Sequence, residues 1–225
     1  MRYVAFVAVL AVCGAASASP RPSEYVPSSP SWDAAPSGAQ VQAVYPRGAL
    51  AAGIAGHALL HCAVEPDATL ADCRVVSETP ARQGFGPAAL RLAAKFRFSM
   101  DTVDPREFER LHVDVPVSFT PAAAPAAIDH PQWLHTADPG RAGQVFPARA
   151  ADAGLATGRA VLECTADAQG MMTGCHVAQE DPPGLDFGPA ALRVASAMGI
   201  NPWTEEGRPA DGARVRFTVR LNRQD

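Results

Sequence analysis

A seven-residue string, FGPAALR, occurs at residues 85–91 and again, unchanged, at residues 187–193, an offset of 102. The same shift carries Gly56 onto Gly158, Cys62 onto Cys164, Cys73 onto Cys175, and Val113, Val115 and Val117 onto Val215, Phe217 and Val219. Upstream the offset becomes 101, pairing Trp32 with Trp133 and Tyr45-Pro46 with Phe146-Pro147, as if one residue had been gained or lost before the first strand of one copy. Cysteines, a heptapeptide and an alternating strand held in register over about ninety positions predict a tandem pair of homologous domains.

Composition then narrows the class. The 225 residues are 48% hydrophobic and carry a formal charge of −4, which excludes a wholly disordered chain and argues against a nucleic-acid binder. Residues 32–120 and 133–225 each net −2, so neither half is a polybasic arm or an acidic tail. At the N-terminus, Arg2, an apolar run over residues 3–13 and the small residues Ala16-Ser17-Ala18 have the layout of a signal peptide cut after Ala18. An uncleaved anchor is the alternative. The sequence therefore predicts a signal peptide at 1–18, a Pro/Ser-rich tether at 19–31 and a domain at 32–120. An extended Ala/Pro linker at 121–131 and a second domain at 132–225 complete the chain.

Periodicity supplies the elements. Pro46 opens a short helix that Gly53 ends. Residues 57–64 alternate with Ala58, Leu60, Cys62 and Val64 on one face, and the second copy places Ala160, Leu162, Cys164 and Ala166 likewise, so the cysteine face points inward. A turn and a second strand through Cys73 or Cys175 follow. In the FGPAALR helix, Phe85, Ala89, Leu92 and Phe96 recur at helical spacing. A last strand alternates Leu111, Val113, Val115, Val117, Phe119 in one copy and Val215, Phe217, Val219, Leu221 in the other. The fold class is α+β: two copies of a small domain, each a three-stranded antiparallel sheet packed by helices and stapled by a hairpin disulfide.

The aromatic-Pro pair, the Ala-rich helical stretch, the Gly before an alternating hairpin, the "AAL…F" helix and the terminal "VxVPVxF" strand resemble the C-terminal domain of TonB. TonB is the periplasmic end of an energy transducer that drives outer-membrane receptors. The resemblance covers residues 45–120 and 146–221. It implies a periplasmic protein-interaction module that takes part in TonB-dependent transmembrane transport by adding a receptor or envelope segment as a strand. Acting as an energy transducer itself would require the N-terminal segment to stay uncleaved. The alternative is a structural envelope protein that contacts peptidoglycan without receptor coupling.

Individual residues sharpen this. The four cysteines beyond residue 18 form two pairs eleven apart, and the repeat selects Cys62–Cys73 and Cys164–Cys175 from the three possible pairings. Each bridge closes a twelve-residue loop, worth about 3 kcal/mol in the chain-entropy model. A four-cysteine zinc site lacks the close spacing such sites use. His57 and His61 lie about 13 Å apart along a strand, too far for one ion, so they and His112 read as solvated strand-face histidines. No metal and no other cofactor is expected. Pro116, lacking an N–H, places the last strand of the first copy at a sheet edge. Trp32 and Trp133 read as packing of the lead-in segments. In the second copy Thr218 stands where the first has Pro116, and Arg214, Arg216 and Arg220 share its face, which makes residues 213–222 the candidate partner edge. Open edges also admit a strand-paired dimer. No nucleophile–base order or phosphate-binding loop is present, so no enzyme activity is expected.

Overall fold

The computed structural model describes residues 23–121, 127–128, 130–136 and 145–223. The expected signal peptide, the first residues of the expected tether and much of the expected linker lie outside the described residues. Among the described residues no helix is long and apolar enough to cross a membrane.

In chain order the first unit contains β1 (Trp32–Ala34), helices Gly38–Ala43 and Arg47–Ala51, β2 (Gly56–Val64), β3 (Leu70–Thr79), the helix Phe85–Ala93, β4 (Arg97–Phe98) and β5 (His112–Phe119). Then come β6 (Ala127–Ile128) and β7 (Trp133–His135). The second unit continues with a helix Ala148–Asp152, β8 (Thr157–Ala166), β9 (Met172–Asp181), the helix Phe187–Ala195, β10 (Gly199–Ile200) and β11 (Arg214–Asn222). The main sheets run β3-β2-β5 and β6-β11-β8-β9. Their registers match at the repeat offset: His57 faces Ser118 as Arg159 faces Arg220.

The expected strand–strand–helix–strand order is present in each unit, and its apolar stripes build two cores. Phe85, Ala89, Leu92 and Phe96 are buried beneath Leu60, Cys62, Val113, Val115 and Val117, and Phe187, Ala191 and Val194 fill the same places in the second unit. Phe85 fits because Gly56 has no side chain: a Cβ at Gly56 would collide with the Phe85 ring, and one at Gly158 with Phe187. The aromatic of the aromatic-Pro pair completes the stack. Tyr45 packs edge-on against Phe85 at 5.9 Å and Phe119 at 5.6 Å, and Phe146 meets Phe187 at 5.6 Å.

The N-termini of both long helices leave backbone donors that need partners. Glu78, from the end of β3, accepts the Gly86 N–H at 2.7 Å, and Glu180 accepts the Gly188 N–H at 2.8 Å. Hydrogen bonding, led by the Gly86 N–H, holds the Glu78 carboxyl below the usual carboxylate range.

Both disulfides have the expected partners, Cys62–Cys73 and Cys164–Cys175. Their setting differs from a plain opposed pair. The register slips around Cys62 and again between Leu59 and Leu60, and Asp72 adopts a positive φ of 48°, so each bridge crosses a bulge with Cα separations of 4.1 and 4.0 Å.

Three features escaped the pattern. Short strands β1 and β7 pair with β4 and β10, tying each lead-in segment to the residues after the long helix. Trp32 is thereby buried against Phe96 at 4.7 Å, and Trp133 meets Phe217 at 4.9 Å. A capping box between Ser37 and Gln40 starts the first helix. The Ala/Pro segment expected to be a bare linker contributes β6, a parallel two-residue partner to Arg214 and Val215. Alternation cannot be seen in two residues.

Two predictions follow from this packing. Gly56→Ala and Gly158→Ala push a methyl into a filled ring site and should each cost about 1–3 kcal/mol in urea denaturation. The Glu78 interaction is present above the unfolded-state pKa and is lost as pH falls through the lowered folded pKa. Glu78→Gln should therefore lower the thermal-stability profile at neutral and alkaline pH and converge on the parent as pH falls through the lowered folded pKa.

Candidate partner edge

A strand at a sheet margin presents every second backbone N–H and C=O outward. In β5 the outward residues are identified by their partners. His112 N–H donates to the Tyr25 carbonyl at 2.9 Å, Ser118 N–H donates to Gly207 at 2.7 Å, and the Pro116 carbonyl accepts the Trp203 indole N–H at 2.9 Å. Tyr25 N–H returns a bond to the Arg110 carbonyl at 2.9 Å. Pro116 is at the margin, as its missing N–H requires. The margin is nonetheless covered, by the lead-in at one end and by residues 203–207 of the second unit at the other.

Trp203 is the centre of this cover. It is 2% exposed, belongs to the core of the first unit, and meets Phe96 edge-on at 5.0 Å. Nearby, Asn201 donates to the Pro30 carbonyl at 2.9 Å and to the Gln132 side-chain oxygen at 2.8 Å, and the Ser118 hydroxyl donates to the Glu206 carbonyl at 2.6 Å. Gly207, at φ 75°, lies against the Pro116 carbonyl where a Cβ would clash. Sequence reasoning passed over Trp203 because it stands in an irregular stretch with no periodicity, and residue 101, one offset earlier, is Asp.

The register equivalence makes Arg214, Arg216, Thr218 and Arg220 the outward residues of β11, and all four are exposed. β6 pairs with Arg214 and Val215. From residue 216 to 222, no strand among the described residues pairs with the outer side of β11. The three arginines are not equivalent. Arg216 is bound to Glu163 on β8, and Glu163 also lies 3.4 Å from His176. Arg220 lies beside Arg159, which is paired with Asp181 at 3.0 Å. Among the described residues neither Arg214 nor Arg220 has a carboxylate partner. A depression of about 270 Å³ lined by Ala127, Glu163, Thr165, His176, Arg214 and Arg216 adjoins the start of the edge.

The opposite margins, β3 and β9, carry two bulges each, which twist an edge away from regular pairing.

Two histidines depart from expectation. His57 is exposed, but His61 is buried and His112 half-buried. His61 was expected in solvent because its face of β2 is polar. It is covered by Glu24 from the lead-in and by the His112 ring stacked at 5.2 Å, contacts made by residues far away in sequence.

Residues 41–121 match the family described as Gram-negative bacterial TonB protein C-terminal. The match supports a likeness of the first unit to the TonB C-terminal family, a family of periplasmic domains that mediate protein–protein interaction in the envelope. No curated protein and no solved structure matches the chain.

Removing the plug should expose the dependence of the first unit on the second. Trp203→Ala should lower stability by about 3–5 kcal/mol, read from denaturant unfolding. Pro116→Thr should be nearly silent, because the N–H it restores points to the margin and not into the β2 ladder.

Proposed function

We propose that the protein is an exported envelope adaptor that captures an extended segment of a protein partner along the outer edge of β11. In this reading a signal peptide (1–18) and tether (19–31) precede two tandem TonB C-terminal-type domains, 32–120 and 132–225, joined by residues 121–131. The partner is a receptor or other envelope segment, and the capture serves TonB-dependent transport.

The observation that carries the reading is the asymmetry of the margins. The β5 edge is covered from within the chain by Tyr25, Trp203 and Gly207, whereas among the described residues no strand pairs with the margin of β11 from residue 216 onward. Strand addition needs alternate N–H and C=O groups, which Thr218 supplies and Pro116 does not. Arg214 and Arg220, exposed and without carboxylate partners among the described residues, favour an acidic segment and give its capture a dependence on salt.

Titration of the full chain with acidic, β-branched peptides of eight to ten residues tests this. Thr218→Pro should weaken the best binder by about two- to twelvefold, the value of one net hydrogen bond. Arg220→Glu should lower affinity and flatten its salt dependence. Unchanged binding by both variants, with the fold verified by circular dichroism, would remove β11 as the partner edge.

A further inference from the structure

Glu24, His61 and His112 each place one potential ligand atom within 4.8 Å of the other two. They come from three separate segments: the lead-in, β2 and β5. The two histidines are already oriented by hydrogen bonds from the far side of their rings. His61 Nδ1 lies 2.8 Å from the Asp114 carboxylate, which accepts its proton, and His112 Nδ1 lies 3.0 Å from the Arg110 carbonyl, which accepts likewise. A carboxylate or carbonyl on Nδ1–H fixes the tautomer whose Nε2 carries a lone pair, the arrangement found behind metal-bound imidazoles.

Nε2 of His61 is the independent sign. The residue is 9% exposed, and this nitrogen is buried with no hydrogen-bond partner. The nearest oxygen, Oε2 of Glu24, is 3.4 Å away, and two acceptors facing each other do not bond. A buried nitrogen lone pair without a donor is costly. A cation between the two would satisfy both.

We infer that Glu24, His61 and His112 bind a divalent first-row transition ion, with zinc the best match. Two imidazole nitrogens and one carboxylate oxygen form a three-ligand set that leaves a fourth, tetrahedral position open. Ligand atoms at the usual zinc bond lengths of about 2.0–2.1 Å stand about 3.4 Å apart; Glu24 and His61 are already 3.4 Å apart, and the separations from His112, within 4.8 Å, close to that value. That adjustment needs a tilt of the stacked rings and a movement of Glu24, whose side chain is half exposed. Asp114 serves as the outer partner of His61.

The second unit supports the assignment by its substitutions. One offset on from His61, His112 and Asp114 stand Glu163, Arg214 and Arg216, and there an Arg216–Glu163 ion pair takes the place of the histidine cluster. The site is therefore particular to the first unit. It stands where Tyr25 pairs with β5, so a bound ion would fasten the lead-in to that edge and hold it shut.

Calorimetric titration of the tag-free full chain with zinc chloride at pH 7.5 tests the inference, with cobalt as a spectroscopic substitute. The expected result is one ion per chain and visible absorption bands of four-coordinate cobalt. Glu24→Gln and His112→Ala should each weaken binding at least about tenfold, and Asp114→Ala by about ten- to a hundredfold. His57→Ala, exposed at the other end of the same strand, should bind as the parent does. Glu24 is exposed enough for its variant to fold, so the test survives if a His61 variant does not. No stoichiometric binding, or binding that Glu24→Gln and His112→Ala leave unchanged, would overturn the assignment.

Discussion

The hydrogen bond from the Trp203 indole to the Pro116 carbonyl joins the two halves of this molecule. A sheet margin leaves backbone groups that must find partners in water, in another chain or within the same chain. In the first unit His112, Pro116 and Ser118 find theirs within the chain. Trp203 also fills space beside Phe96, so one side chain completes a core and closes an edge. The glycine four residues later lets the backbone come close enough for Ser118 to bond to it. Mechanical independence of the two units is thereby lost: the first core contains a residue of the second unit.

This closure is what separates two units built to one plan. Registers, disulfides and helix-capping glutamates coincide at the repeat offset. They differ at the margins, where β5 carries Pro116 and β11 carries Thr218, and across the outer sheet face, where the His61–Asp114 pair is replaced by Glu163–Arg216. The buried side of each sheet is constrained by packing against one helix, while its exposed side and edge are free to change. A single architecture can then hold one margin that is covered and one that, among the described residues, is unpaired from residue 216.

Each unit is small, with one nine-residue helix supplying most of the cover for its sheet. Domains of about this size bury a modest fraction of their surface. The hairpin disulfides, the close fit of Phe85 and Phe187 over glycine, and the paired lead-in strands all compensate by restricting the unfolded chain or by filling the core.

The sequence by itself determined the repeated plan, the inward faces of the strands, the long helices, the cysteine pairing and the marginal position of Pro116. These follow from local periodicity, from residue chemistry and from the comparison of one copy with the other. The environments of His61 and Trp203 were not legible, because burial of a residue on a polar face, or in an irregular loop, depends on which distant segment covers it. For the same reason β6 was read as linker. Arg214, Arg216 and Arg220 were visible as one face, yet only the fold decided that Arg216 is paired with Glu163 while Arg214 and Arg220 have no such carboxylate among the described residues. Alternation records which way a side chain points; what it meets there is set by chain segments dozens of residues away, and that only the tertiary structure decides.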